Sequence, residues 1–207
     1  MLQLRPGWYR ALAHAVALAP LAWLGVRYLR DDLPVLLNRY LMLRSGVVAL
    51  ALLVAALACT PARILFNWRW TTLVRRTLGL YAFAYAVAHV VVYAQFENAL
   101  DWRLIWRDLG ERRSMAIGLA SLAVLVPLAL TSTTGWQRRL GTRWRTLHRL
   151  VYLAVPLAIA HYYYLDRDDR RPPLLYAIVV AALLAIRLPP VRRTIARLRA
   201  ARSAGGP

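Results

Sequence analysis

Four histidines, His14, His89, His148 and His161, are the only imidazoles in the 207-residue chain, and each lies inside or at the edge of a long apolar segment. A polar ring in hydrocarbon is costly without a partner, and the usual partners are a metal, a haem iron or a proton path. His89 follows Arg76 by 13 residues, and His161 follows His148 by the same 13. If both segments enter the membrane from one side, His89 and His161 reach one depth, roughly 20 Å in at ~1.5 Å per residue. Two imidazoles at one level on helices running the same way suit the two axial ligands of a haem held edge-on between helices, which points to membrane electron transfer. His148 then lies near the inner surface, one layer below. Thirteen residues at ~100° each set His148 and His161 about 140° apart on an ideal helix. Both can face one interior only if the helix is distorted, and Pro156 is the expected place. The alternative for each ring is structural, a hydrogen bond across a helix pair worth ~1 kcal/mol or less. It weighs most for His14, on the first turns, and for His148, flanked by Arg145 and Arg149.

The elements that must carry these rings are six uncharged runs, residues 11–26, 45–62, 77–96, 114–137, 150–165 and 172–186. A crossing helix needs ~20 residues, with a range of ~17–25. The middle runs qualify directly, and the shorter ones qualify if terminal Arg side chains snorkel to the interface. Trp8, Tyr9, Trp23, Tyr28, Trp136, Trp144 and the tyrosines at 162–164 crowd the run ends, as an aromatic belt does. The expected fold class is an all-α integral membrane protein, a six-transmembrane-helix bundle. Residues 1–190 form one membrane domain without an internal repeat, and residues 191–207 form a basic cytoplasmic tail. Within that tail, 191–202 (VRRTIARLRAAR) reads as a short amphipathic helix resting on anionic membrane lipid. The first run resembles a signal peptide but reads as a first crossing, because five more follow and it holds a His and a Trp.

Charge sets the orientation. All 28 basic residues are Arg, and the net charge is +19. In a soluble chain this would indicate nucleic acid; here the charges sit between apolar runs, so topology accounts for them and no nucleic acid is expected. With the N-terminus inside, the inner segments carry 17 Arg and no acid. The outer segments carry 11 Arg and all nine acids: Asp31, Asp32, Glu97, Asp101, Asp108, Glu111, Asp166, Asp168 and Asp169. The positive-inside rule places both termini in the cytoplasm. The single Cys59 excludes a disulfide within the chain and a Cys-ligated cluster.

Three stretches carry a family resemblance: 75–93 (RRTLGLYAFAYAVAHVVVY), 131–152 (TSTTGWQRRLGTRWRTLHRLVY) and 160–162 (AHY). Together they closely resemble the MsrQ family, haem-binding membrane subunits of periplasmic methionine sulfoxide reductase systems, within the larger group of ferric-reductase-like transmembrane domains. The resemblance covers nearly the whole chain. It implies a multi-pass protein of the bacterial inner membrane with haem b and FMN. It also implies electrons drawn from the quinone pool and passed to a periplasmic molybdopterin-containing catalytic subunit of MsrP type, which repairs oxidised proteins. The chain is then an electron-transfer subunit without a substrate-reducing site of its own.

Residue by residue, the resemblance puts His89, His148 and His161 at the haem-associated positions, as candidate iron ligands. The wider group has two ligand pairs; here Arg75 and Arg76 stand where the second pair's first His would be. One fully ligated haem is expected, and a second would need His14 or a non-His ligand opposite His148. The chain ends about 20 residues after the last run, so quinol or a cytosolic flavin reductase must supply electrons. In the inner loop, Arg138, Arg139, Arg143 and Arg145 offer charge-assisted bonds to a flavin phosphate, and Trp136 and Trp144 offer stacking surface. The alternative is that these Arg only enforce topology and hold lipid head groups. The outer loops 97–113 and 166–171 carry mixed charge suited to a soluble partner. Two other functions fit the same runs. One is a transmembrane ferric reductase delivering electrons to chelated iron. The other is a non-redox transporter or scaffold with structural histidines, which predicts acids or broken helices inside the spans.

Overall fold

The computed structural model describes residues 6–165 and 168–204. Arg5, Asp166 and the last three residues of the expected tail lie outside the described residues. Among the described residues there is no strand. The elements are α1 (Pro6–Leu29), α2 (Leu37–Phe66), α3 (Thr71–Val92) continued by a π-helical turn (Tyr93–Glu97), α4 (Trp102–Glu111) and α5 (Arg113–Leu130). They continue with α6 (Thr134–Leu140), α7 (Thr142–His148), α8 (Val151–Leu165), α9 (Arg171–Ala185) and α10 (Pro189–Ala204). Four segments are long and apolar enough to cross a membrane: Gly7–Leu29, Leu37–Phe66, Thr71–Glu97 and Arg113–Leu130. The pair α9 and α10, bent by 68°, makes a fifth if counted as one span. The last two expected runs form α8 and α9, of 15 residues each, about 22 Å long at 1.5 Å per residue.

Local chemistry sets the boundaries. Asn67, at φ 56°, closes α2 in the left-handed conformation and donates its N–H to the Arg63 carbonyl. The Asp101 carboxylate caps α4 by accepting from the Arg103 N–H at 2.8 Å. The run 114–137 divides into two elements. Thr131 Oγ1 donates to the Pro127 carbonyl at 2.6 Å and Ser132 Oγ to the Leu128 carbonyl at 2.6 Å. Such bonds compete with helix continuation, and α5 stops at Leu130. The mixed-charge loop 97–113 also holds an element not expected from its charge, the helix α4.

The distortion between His148 and His161 is present, but not at Pro156, which sits inside an unbroken α8. It lies at Arg149 and Leu150. There the backbone tightens into i→i+3 bonds, from Arg149 to Thr146, Leu150 to Leu147, Tyr152 to Arg149 and Leu153 to Leu150. This 3₁₀-type winding changes the angular phase between α7 and α8, so a ring at 148 and a ring at 161 both face inward.

The principal pairings are α2 with α3 and α5 with α8, and α1 lies against α3. The core between them draws Leu50, Leu53 and Leu57 from α2, Ala82 and Tyr85 from α3, Leu125 and Leu128 from α5, and Ala154, Val155 and Ile159 from α8. Ala82 and Ala154 are buried to 1% and 0% exposure; without larger side chains at these points the helix backbones approach closely, which is how helices associate in lipid. Polar bonds tie helices together: Tyr85 Oη donates to the Ala17 carbonyl at 2.8 Å, and Ser121 Oγ to the Ala154 carbonyl at 2.9 Å. Pro61, inside α2, has no N–H for the Leu57 carbonyl four residues back. Arg187, at the α9–α10 bend, donates to that carbonyl instead and also reaches Tyr152 Oη at 2.5 Å.

Against expectation, the chain carries an internal repeat. Residues 46–54 (GVVALALLV) and 118–126 (GLASLAVLV) share G-x-x-x-L-A-x-L-V, and 82–89 (AFAYAVAH) and 154–161 (AVPLAIAH) share A-x-x-x-A-[VI]-A-H. Both matches lie at an offset of 72 residues. The pairing α2–α3 is thus repeated as α5–α8. Buried positions such as Leu53 and Leu125, or Ala82 and Ala154, carry the signal; lipid-facing positions have drifted among apolar residues.

Candidate functional site

The repeat brings its two histidines together. The His89 ring on α3 and the His161 ring on α8 have centroids 6.1 Å apart and planes crossed at 79°. Each ring is held the same way. His89 Nδ1 lies 2.8 Å from the Met42 carbonyl, and His161 Nδ1 lies 2.6 Å from the Ser114 carbonyl. A carbonyl oxygen only accepts, so both Nδ1 atoms carry the proton and both Nε2 atoms keep a free lone pair. A bond from Nδ1–H to a carbonyl selects the tautomer that can ligate through Nε2 and raises its basicity.

Two glycines make room for the rings. A Cβ on Gly46 would stand 3.1 Å from His89 Nδ1 and Cε1, and one on Gly118 would stand 2.6 Å from His161 Nδ1. In a helix a side chain leans over the turn that precedes it. Glycine four residues after Met42, and again four after Ser114, therefore leaves those carbonyls open to an imidazole.

The donor set fits a metal with two axial nitrogens. An imidazole nitrogen lies about 1.1 Å from its ring centre and a metal–imidazole bond measures ~2.0–2.1 Å, so opposed ligands have centres about 6.3 Å apart. The observed 6.1 Å meets that spacing. Among the described residues no group of three or more His, Cys, Asp or Glu could hold a metal ion on its own.

The other two histidines stand elsewhere. His14 on α1 meets Tyr81 Oη at 3.0 Å. His148 stacks on Trp144, with ring centroids 4.0 Å apart, and its Nε2 lies 3.1 Å from Thr131 Oγ1. Burial, with the Arg75 guanidinium adding to it, holds the His148 imidazole below its ordinary range, so it is neutral at pH 7. His148 and Trp144 line a cavity of about 410 Å³ together with Gln137, Arg10, Arg75 and Arg76. The four arginines expected to face a ligand here, Arg138, Arg139, Arg143 and Arg145, are exposed and do not line it; Arg139 lies over the Trp136 ring instead. Two ion pairs, Arg27–Asp32 at 3.1 Å and Arg112–Asp108 at 3.5 Å, belong to the acid-bearing end of the bundle, opposite this cavity.

A family model described as a ferric reductase like transmembrane component matches residues 45–159, more than half of the chain. The protein-methionine-sulfoxide reductase heme-binding subunit MsrQ of Rhodospirillum rubrum is 41% identical over 186 residues, 89% of each chain. That of Caulobacter vibrioides is 41% identical over 180 residues, 86% of each, and that of Deinococcus radiodurans 45% over 156 residues, 75% of each. The chain belongs to the MsrQ family. As a member of it, the chain is a multi-pass membrane protein. The ferric-reductase-like match includes Gly46, His89, Gly118 and His148, while Met42 and His161 fall just outside it.

Sequence reasoning found the rings but missed Met42, Gly46, Ser114 and Gly118. The signal that could have found them is the 72-residue offset, which aligns Met42 with Ser114, Gly46 with Gly118 and His89 with His161.

Proposed function

We propose that this protein is the haem b electron-transfer subunit of a methionine sulfoxide reductase system in the bacterial inner membrane. In this reading His89 and His161 would hold the haem iron, and the spacing and shared tautomer of the two rings carry it. When bound, the haem supplies reversible one-electron chemistry at its iron. The chain's own residues do the rest. The Met42 and Ser114 carbonyls orient the ligands, Gly46 and Gly118 admit them, and the apolar core of Leu50, Leu53, Leu125 and Ile159 keeps water out.

Six crossings with both termini in the cytoplasm complete the reading. α8 and α9 serve as the fifth and sixth, with Arg149 snorkelling at the inner end of α8 and Arg187 bonded back onto α2 and α8 at the inner end of α9. The cavity at His148 is then the cytoplasmic side, where electrons enter from quinol or a cytosolic flavin reductase. Arg10, Arg75 and Arg76 supply positive charge and Trp144 a flat face, which suits a quinone or the phosphate-bearing FMN that the family resemblance implies. The acid-bearing end faces the periplasm and a molybdopterin-containing, MsrP-type catalytic partner.

The test is an oxidised and dithionite-reduced absorption spectrum of the detergent-purified protein, with pyridine haemochrome quantitation, beside His89→Ala and His161→Ala. The expected result is a b-type spectrum lost in both variants. A folded, colourless wild type made with ample haem would overturn the proposal. Reduction of chelated iron, but not of an oxidised MsrP-type partner, would assign the protein as a transmembrane ferric reductase instead.

A further inference from the structure

Resting on the reading of His89 and His161 as axial ligands, we infer that Gly46 and Gly118, with the Met42 and Ser114 carbonyls they uncover, are positioning residues that lock the two imidazoles in crossed planes. The crossing is 79°. Nothing in the side chains themselves requires it, because a ring turned about its Nε2–metal axis keeps the same metal bond. What fixes each ring is the second nitrogen. His89 Nδ1–H must point at the Met42 oxygen and His161 Nδ1–H at the Ser114 oxygen. Rotation by a quarter turn takes either hydrogen off its acceptor and leaves a polar group unpaired in an apolar bundle, which is costly.

Both anchors are built alike. The acceptor lies 47 residues before its histidine, and the glycine lies four residues after the acceptor. The two copies differ in tightness. At Gly46 an added Cβ meets the ring at 3.1 Å, which a shift of a few tenths of an ångström relieves. At Gly118 it meets Nδ1 at 2.6 Å and Cε1 at 2.9 Å, so the ring must leave its place. Gly25 in α1 and Gly79 in α3 have nothing within 4 Å of the same added atom and serve as controls.

Crossed planes have a spectroscopic signature that bulk stability does not. In a low-spin ferric centre the plane of each imidazole splits the two orbitals it overlaps. Perpendicular planes cancel that splitting and give one strongly anisotropic signal with a large maximum g value. Parallel planes give an ordinary rhombic spectrum. The bond from Nδ1–H to a carbonyl also makes each ring a stronger donor, which favours the ferric state and lowers the midpoint potential.

The experiment is low-temperature electron paramagnetic resonance and redox potentiometry of the full-length protein in detergent, comparing wild type with Gly118→Ala, Gly46→Ala and Gly79→Ala. The wild type is expected to show the large-g signal. Gly118→Ala is expected to lose it, to raise the midpoint potential and to retain haem about 10–100-fold less tightly. Gly46→Ala keeps haem and moves the maximum g value downward by a smaller step, and Gly79→Ala matches wild type. Should Gly118→Ala not fold, Gly46→Ala decides. A rhombic wild-type spectrum, or wild-type g values and potential in whichever of Gly118→Ala and Gly46→Ala folds, overturns the inference while leaving the haem reading intact. A wild type without haem overturns the underlying reading instead.

Discussion

The two ends of this bundle use histidine in opposite ways. Near the acid-bearing end, His89 and His161 each have one nitrogen committed to a main-chain carbonyl, one nitrogen free, and a glycine at their side. At the other end, His148 offers its Nε2 to a hydroxyl, stacks on an indole, and borders an open cavity with arginines and no carboxylate. The first arrangement is closed and pre-oriented, suited to a permanent resident. The second is roomy and cationic, suited to something that comes and goes. Imidazole chemistry here is decided by the second nitrogen and by the side chain missing four residues after the carbonyl.

The sharpest way to break the contrast is to remove rings. His161→Ala is expected to abolish b-type absorbance in the purified protein, whereas His148→Ala keeps the absorbance of the His89–His161 centre; equal loss in both would erase the distinction between the ends. Next comes Arg187→Met, which leaves the Leu57 carbonyl and Tyr152 Oη without their donor. It is expected to destabilise the protein by about 1–3 kcal/mol, read as a lower thermal midpoint in detergent, with the spectrum of the folded fraction unchanged. Replacing both Arg75 and Arg76 with Gln should slow reduction by a quinol analogue or reduced flavin about tenfold, as expected for a lost charge-assisted contact of ~1.4 kcal/mol. Stopped-flow reduction of the bound chromophore measures this, and an unchanged rate would show that donors do not use the cavity. The smallest change belongs to the acid-bearing end. Asp108→Asn weakens the bond that Tyr93 Oη makes to the Asp108 carboxylate at 2.5 Å, for a loss of ~1 kcal/mol visible as faster hydrogen exchange in α4.

The runs and the rings were legible because length, hydropathy and spacing are one-dimensional. Thirteen residues from Arg76 to His89 and from His148 to His161 are enough to equate depth, and the structure puts those rings side by side. The break at Arg149 and Leu150 was not legible, because neither residue is a helix breaker; the kink was assigned to Pro156 on propensity, and local 3₁₀ bonding took precedence. The four loop arginines stand away from the cavity for a different reason. Arg138, Arg139, Arg143 and Arg145 are near Trp144 in sequence, but the short helices α6 and α7 turn them outward, while Arg10 and Arg75 arrive from α1 and α3. Helix α4 was readable after all: Trp102, Ile105, Trp106 and Leu109 recur at i, i+3, i+4 and i+7, a periodicity masked by its charged neighbours. The carbonyl anchors were beyond side-chain reasoning, since a main-chain oxygen leaves no letter in a sequence except the glycine that uncovers it.

The 72-residue repeat has a consequence for biogenesis. Each half contributes one ring, one anchor and one glycine, so neither half holds both rings. Helices of membrane proteins enter the bilayer before they associate, and the second half is synthesised after the first. A ligand that needs both rings therefore recognises only the docked pair, and by mass action it favours the docked pair over separated halves. Loading of such a ligand would act as quality control, a clamp that marks chains whose two halves have met in the correct register.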